Sequence, residues 1–64
     1  STIPARLVVY AMEVATEAFA GDMTDAEKIA YVEESLLERF PSIGPLTLQV
    51  VATEIVTSRK GDPD

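Results

Sequence analysis

Acidic side chains are the first place to look for chemistry in this chain. Glu13 and Glu17 stand four residues apart, as do Glu34 and Glu38, so each pair shares one face of a helix and can hold a cation weakly. That spacing also marks an ordinary hydrated helix face. Asp22, Asp25 and Glu27 gather after Gly21, but they lack the alternating oxygen ligands of a calcium loop. There is no Cys and no His among the 64 residues, which removes disulfide staples, thiolate zinc sites and imidazole acid–base work. The scattered Ser and Thr have no such base to activate them. Three Gly residues form no phosphate-cradling loop. The expectation is therefore a chain that is not an enzyme, with no catalytic, cofactor-binding or metal-ligating residues.

Charge narrows the partners. Eleven acids against five bases give a formal net charge of −6, which disfavours nucleic-acid backbones and anionic membrane surfaces. Eight of the acids lie between Glu13 and Glu38, where Lys28 is the only base. The Arg59–Lys60 pair is too small to be an electrostatic footprint. The acidic block reads either as a solvated helical face or as a surface for a basic partner.

Length and hydropathy set the frame that must carry these side chains. With 64 residues and 47% apolar content, the chain has room for one core and too much Val, Ile and Leu for disorder. Burial and chain-ordering terms are comparable at this size, so packing alone leaves little margin and self-association would help. No secretory leader is expected, because the start lacks a basic region followed by an apolar run. Ile3 to Ala20 is apolar and 18 residues long, yet it carries Arg6, Glu13 and Glu17, so it reads as a helix outside the membrane.

The pattern predicts an all-α domain of three helices, at about residues 3–20, 25–40 and 46–60, followed by a frayed tail over 61–64. In the first, Ser1 or Thr2 can cap the start, Pro4 suits the first turn and Gly21 the position past the end. Leu7, Tyr10, Ala11, Val14, Ala15 and Ala18 form its apolar stripe, opposite Arg6, Glu13 and Glu17. Val8, Met12 and Phe19 widen the apolar arc beyond what one buried face needs. They either pack inside a core that wraps the helix or form a contact face for a second copy or another protein.

The second helix opens on a capping box, Thr24-Asp25-Ala26-Glu27, and stops at Pro41. Its expected core stripe is Ala26, Ile29, Ala30, Leu36, Leu37 and Phe40. Glu33 then falls between Ile29 and Leu37, either paired with Arg6, Arg59 or Lys60 or with its head kept wet. The third segment is two-sided. Pro45 can start a helix, and Leu48, Val51, Ala52, Ile55 and Val56 fit one stripe. Leu46-Thr47-Leu48-Gln49-Val50 nevertheless alternates as a strand would. A lone strand has nothing to pair with, so helix is expected, and a strand over 46–57 would imply pairing between chains.

The Met23-Thr24-x-x-Glu27-Lys28 turn and the Tyr31-Val32-x-x-x-Leu36-Leu37 helix follow an Ala/Glu-rich first helix that ends near Phe19. Over residues 7–57 this arrangement resembles the soluble C-terminal region of LLH-type phage holins, with Glu13, Lys28, Tyr31 and Val32 carrying most of the likeness. The resemblance implies a phage protein of the host-lysis module with a domain that assembles, in host cytoplasm or virion and not secreted. Such holins carry a membrane helix ahead of this region, and Ser1 onward does not begin with one. Membrane insertion by this chain alone is therefore not expected.

The functional expectation is an assembly or protein-binding module, a homo-oligomer or the partner of another protein, docking through Val8, Met12 and Phe19. The alternatives are an acidic DNA mimic that occupies a basic cleft on a nucleic-acid-binding protein, and a small virion component.

Overall fold

A threonine, two prolines and one loop glycine delimit three helices, and the computed structural model describes residues 3–61. Helix α1 spans Ala5–Phe19, α2 Asp25–Arg39 and α3 Pro45–Lys60. The domain is all-α, with no strand among the described residues. The alternative of a strand over 46–57 is thereby corrected: Pro45 at the first helical position fixes a helical φ, and the 3.6-residue stripe buries Leu48, Val51, Ala52 and Val56 together.

The first helix starts later than its apolar run suggests. Pro4 is its N-cap, with extended backbone, and its carbonyl accepts from the amides of Leu7 at 3.1 Å and Val8 at 3.4 Å. A ring nitrogen with no proton is tolerated there, since the first amides of a helix lack carbonyl partners anyway. The Ser1 or Thr2 cap and tail residues 62–64 lie outside the described residues. At the other end Ala20 takes the C-cap in right-handed conformation, and Gly21 follows without a positive φ. The turn is closed by Ala20 and Gly21 amides reaching back to Glu17 and Ala18 carbonyls. Gly21 stands where the sequence placed it but does not use the left-handed freedom that favours glycine.

The α2 capping box is complete. The Glu27 amide donates to Thr24 Oγ1 at 3.2 Å, and the Thr24 amide donates to Glu27 Oε1 at 2.8 Å. Asp25 and Glu27 occupy the positive end of the helix dipole and Arg39 the negative end.

The three helices run up, down and up, with α2 packed against both neighbours and α1 meeting α3 along a looser seam. The core joins Leu7, Ala11, Val14 and Ala15 of α1 to Val32 and Leu36 of α2, and to Leu48, Val51, Ala52 and Val56 of α3; Phe40 closes one end. The α1 and α3 stripes are those the spacing predicts. The α2 stripe is rotated: Val32 is fully buried, while Ala26 and Ala30 are exposed and Leu37 is 39% exposed. A helix held between two others centres its largest apolar side chains on both, and Val32 with Leu36 fills that space better than two methyl groups. The same rotation moves Glu33 to a half-buried edge, where it has no ion pair among the described residues.

Candidate docking face

Each of the five cations leans on an aromatic ring or a carboxylate of the fold, and all but Lys28 remain exposed. Arg6 lies 5.7 Å from the centroid of the Phe40 ring, and Arg39 lies 4.8 Å from that of Tyr10. Tyr10 and Phe40 themselves meet edge to face at 6.0 Å. At the opposite end, Lys28 and Arg59 both approach the Phe19 ring, at 4.4 and 5.2 Å. Lys60 Nζ donates to Asp25 Oδ2 at 2.5 Å, and Lys28 sits 3.6 Å from the same carboxylate. That hydrogen bond holds the Asp25 carboxyl below its ordinary range and Lys60 above its own. Tyr31 donates its hydroxyl to Glu17 Oε1 at 3.1 Å, which raises the phenol. Arg6, Arg59 and Lys60, each a conceivable partner for Glu33, are thus taken up elsewhere.

The acids are left with little to pair with. Glu13, Asp22, Glu33, Glu34, Glu38 and Glu54 make no side-chain hydrogen bond or ion pair among the described residues. Five of the six lie on α1, α2 and the turn between them, and Glu54 stands alone on α3. No group of three or more acidic side chains converges as a metal site among the described residues.

Of the three residues singled out for docking, only Met12 is exposed, at 54%, and Val8 and Phe19 are half-buried. Phe19 packs against the core between two cations, so its ring is committed inside the molecule. By helical spacing Val8 and Met12 occupy the side of α1 that turns toward α3. Next to Met12, Thr16 spends its hydroxyl proton on the Met12 carbonyl at 3.0 Å, which removes a donor from that surface.

Sequence reasoning missed the other half of this face. Leu46 is 76% exposed and Val50 53%, and they stand four residues apart on the outer side of α3. With Ile3, Pro4, Ile43 and Thr47 they line an open depression of about 580 Å³ at the head of the α1–α3 seam. A second depression of about 150 Å³, lined by Met12, Ala15, Ile55, Ser58 and Arg59, continues the seam toward the other end. The strand-like alternation of residues 46–50 was the available signal: in a helix, it sets Leu46 and Val50 on one line. Val9, 55% exposed, was also missed and lies on the outer side of α1.

No helix among the described residues is long and apolar enough to cross a membrane. No protein-family model, curated protein or solved structure matches the chain.

Proposed function

We propose that this chain is a non-enzymatic assembly or protein-binding module that docks through the apolar side of α1. The observation that carries the reading is Met12, more than half exposed beside half-buried Val8 on a helix whose core stripe is already complete without them. Exposing a long, flexible thioether side chain to water costs hydrophobic free energy that a partner surface would recover. The resemblance of residues 7–57 to the soluble C-terminal region of LLH-type holins favours the same reading, with the module acting in host lysis, in host cytoplasm or virion. Insertion into a membrane or binding of nucleic acid by this chain is not part of it.

The test is size-exclusion chromatography with light scattering on wild type and on Met12→Asp, each at low and high salt. Association that is lost in Met12→Asp and little changed by salt supports the reading. Association indifferent to Met12→Asp refutes it.

One observation favours a second reading, an acidic mimic of a phosphate backbone. With the five cations drawn onto rings or Asp25, six carboxylates are left without partners among the described residues, and the five on α1, α2 and the turn between them make an acid-rich side for a basic cleft. Binding of that kind falls steeply with salt and with neutralisation of Glu13, Glu34 and Glu38.

A further inference from the structure

We infer that the groove between α2 and the α1–α2 turn receives an arginine side chain of another protein, stacked on the Tyr31 ring and held by Glu34 and Asp22. The inference goes beyond the α1 docking face, because this groove lies on α2, away from the α1–α3 seam. It also differs from mimicry of a phosphate backbone, since it rests on one socket and not on summed charge. Glu27, Ala30, Tyr31 and Glu34 line the groove together with Asp22 and Met23, around about 490 Å³ of open space. Steps of three and four residues put the first four on a single face of α2. The lining is thus part apolar, from Met23, Ala30 and the Tyr31 ring, and part acidic, from three carboxylates.

The other aromatic rings indicate which group completes the groove. Arg39 approaches Tyr10, Arg6 approaches Phe40, and Lys28 with Arg59 approaches Phe19. Tyr31 is the one remaining aromatic residue of the chain, and no Lys or Arg side chain approaches its ring among the described residues. Lys28, three residues before it on α2, is drawn to Phe19 and Asp25 instead. The Tyr31 hydroxyl donates to Glu17 Oε1 at 3.1 Å, which fixes the ring beside the groove. Asp22 and Glu34 have no side-chain hydrogen bond or ion pair among the described residues, and Glu27 gives one oxygen to the Thr24 amide. An uncovered ring among carboxylates matches a cation on an apolar stem. Arginine fits better than lysine, because its planar guanidinium stacks on a ring while its edge donates to a carboxylate. A second copy is a poor source of that arginine. Each of this chain's cations already leans on its own fold and would forfeit that contact. A different, basic protein is drawn by the net charge of −6.

The probe is a short blocked alanine–serine peptide carrying two arginines, compared with its lysine counterpart and titrated into the full chain at low salt. Chemical-shift changes of the backbone amides report the site and the affinity. The arginine peptide is expected to shift amides within residues 22–34 and to bind about threefold tighter than the lysine peptide. Tyr31→Leu and Glu34→Gln each weaken it about threefold, whereas Tyr31→Phe, which keeps the ring, changes it little. Glu54→Gln removes the same unit of charge from α3 and is also expected to change it little. A loss in Glu54→Gln equal to that in Glu34→Gln assigns binding to net charge and overturns the socket. Shifts spread evenly over the three helices, equal binding of the two peptides, or no binding of the arginine peptide overturn it as well. Circular dichroism checks that Tyr31→Leu keeps its helices, and Glu34→Gln, at an exposed position, carries the test if that variant unfolds.

Discussion

Phe19 and Asp25 show how single residues tie the end of the molecule near the α1–α2 turn. Phe19 receives Lys28 on α2 and Arg59 on α3, so one ring links all three helices. Replacing Phe19 by Leu keeps apolar bulk but loses both cation contacts; each is worth about 0.5–1 kcal/mol at an exposed site. A drop of about 5–10 °C in the melting temperature is expected for a domain of this length. Asp25 adds a pH signature. Its hydrogen bond from Lys60 lowers its carboxyl in the folded state, so the stabilisation is present above the unfolded value near 3.9 and is lost as pH falls through the lower folded value. Tyr31 works in the opposite sense. Its phenol is raised by Glu17, so that contribution is complete below about pH 10 and is lost as pH rises through the folded value. Thermal melts across pH check both: Lys60→Met flattens the acid limb and Tyr31→Phe the alkaline one. Phe19 was legible as apolar and exposed to choice, but not as the centre of a cation sandwich. That role depends on where Lys28 and Arg59 arrive from distant turns, which no local spacing encodes.

The helices themselves were legible to the extent that their signals are local. Thr24 and Glu27 are three residues apart and satisfy each other's amides, so α2 could be placed to the residue at its start. Thr24→Ala is expected to cost about 1 kcal/mol, read by denaturant melts as a shifted midpoint at unchanged slope. The start of α1 was placed too early because apolar periodicity runs through Ile3 and Pro4 while the backbone of Pro4 is still extended. The α2 stripe was misjudged for a different reason. A helix between two neighbours buries an arc set by both of them, and Val32, fully enclosed, sits at the part of that arc a single-sided stripe leaves out. Leu36 anchors the same arc at 0% exposure. Leu36→Ala should cost about 2–5 kcal/mol, enough to unfold much of a domain this small at room temperature. For α3, the core stripe was readable and the exposed Leu46–Val50 line was not, because alternation over five residues was weighed as a strand signal and not translated onto a helix.

At the scale of the whole molecule, two properties are separated in space. The cations lie along the surface against rings and one carboxylate, the unpaired acids crowd α2 and the turn before it, and most of the exposed apolar side chains gather on the α1–α3 flank. Segregation of this kind lets solubility and adhesion coexist on about sixty residues. The three-helix architecture and the exposed Met12 on α1 follow from local spacing in the sequence. The composite face does not, since it needs α1 and α3 side by side and parallel. The account's central claim is that this flank drives association, and a chain with so small a core then gains stability by mass action. Sedimentation equilibrium with parallel thermal melts, from about 1 to 500 µM, tests it most directly. A mass that rises above one chain together with a rising melting temperature is expected, and Met12→Asp is expected to abolish both trends. A wild-type mass of one chain and a constant melting temperature across that range, indistinguishable from Met12→Asp, would contradict it.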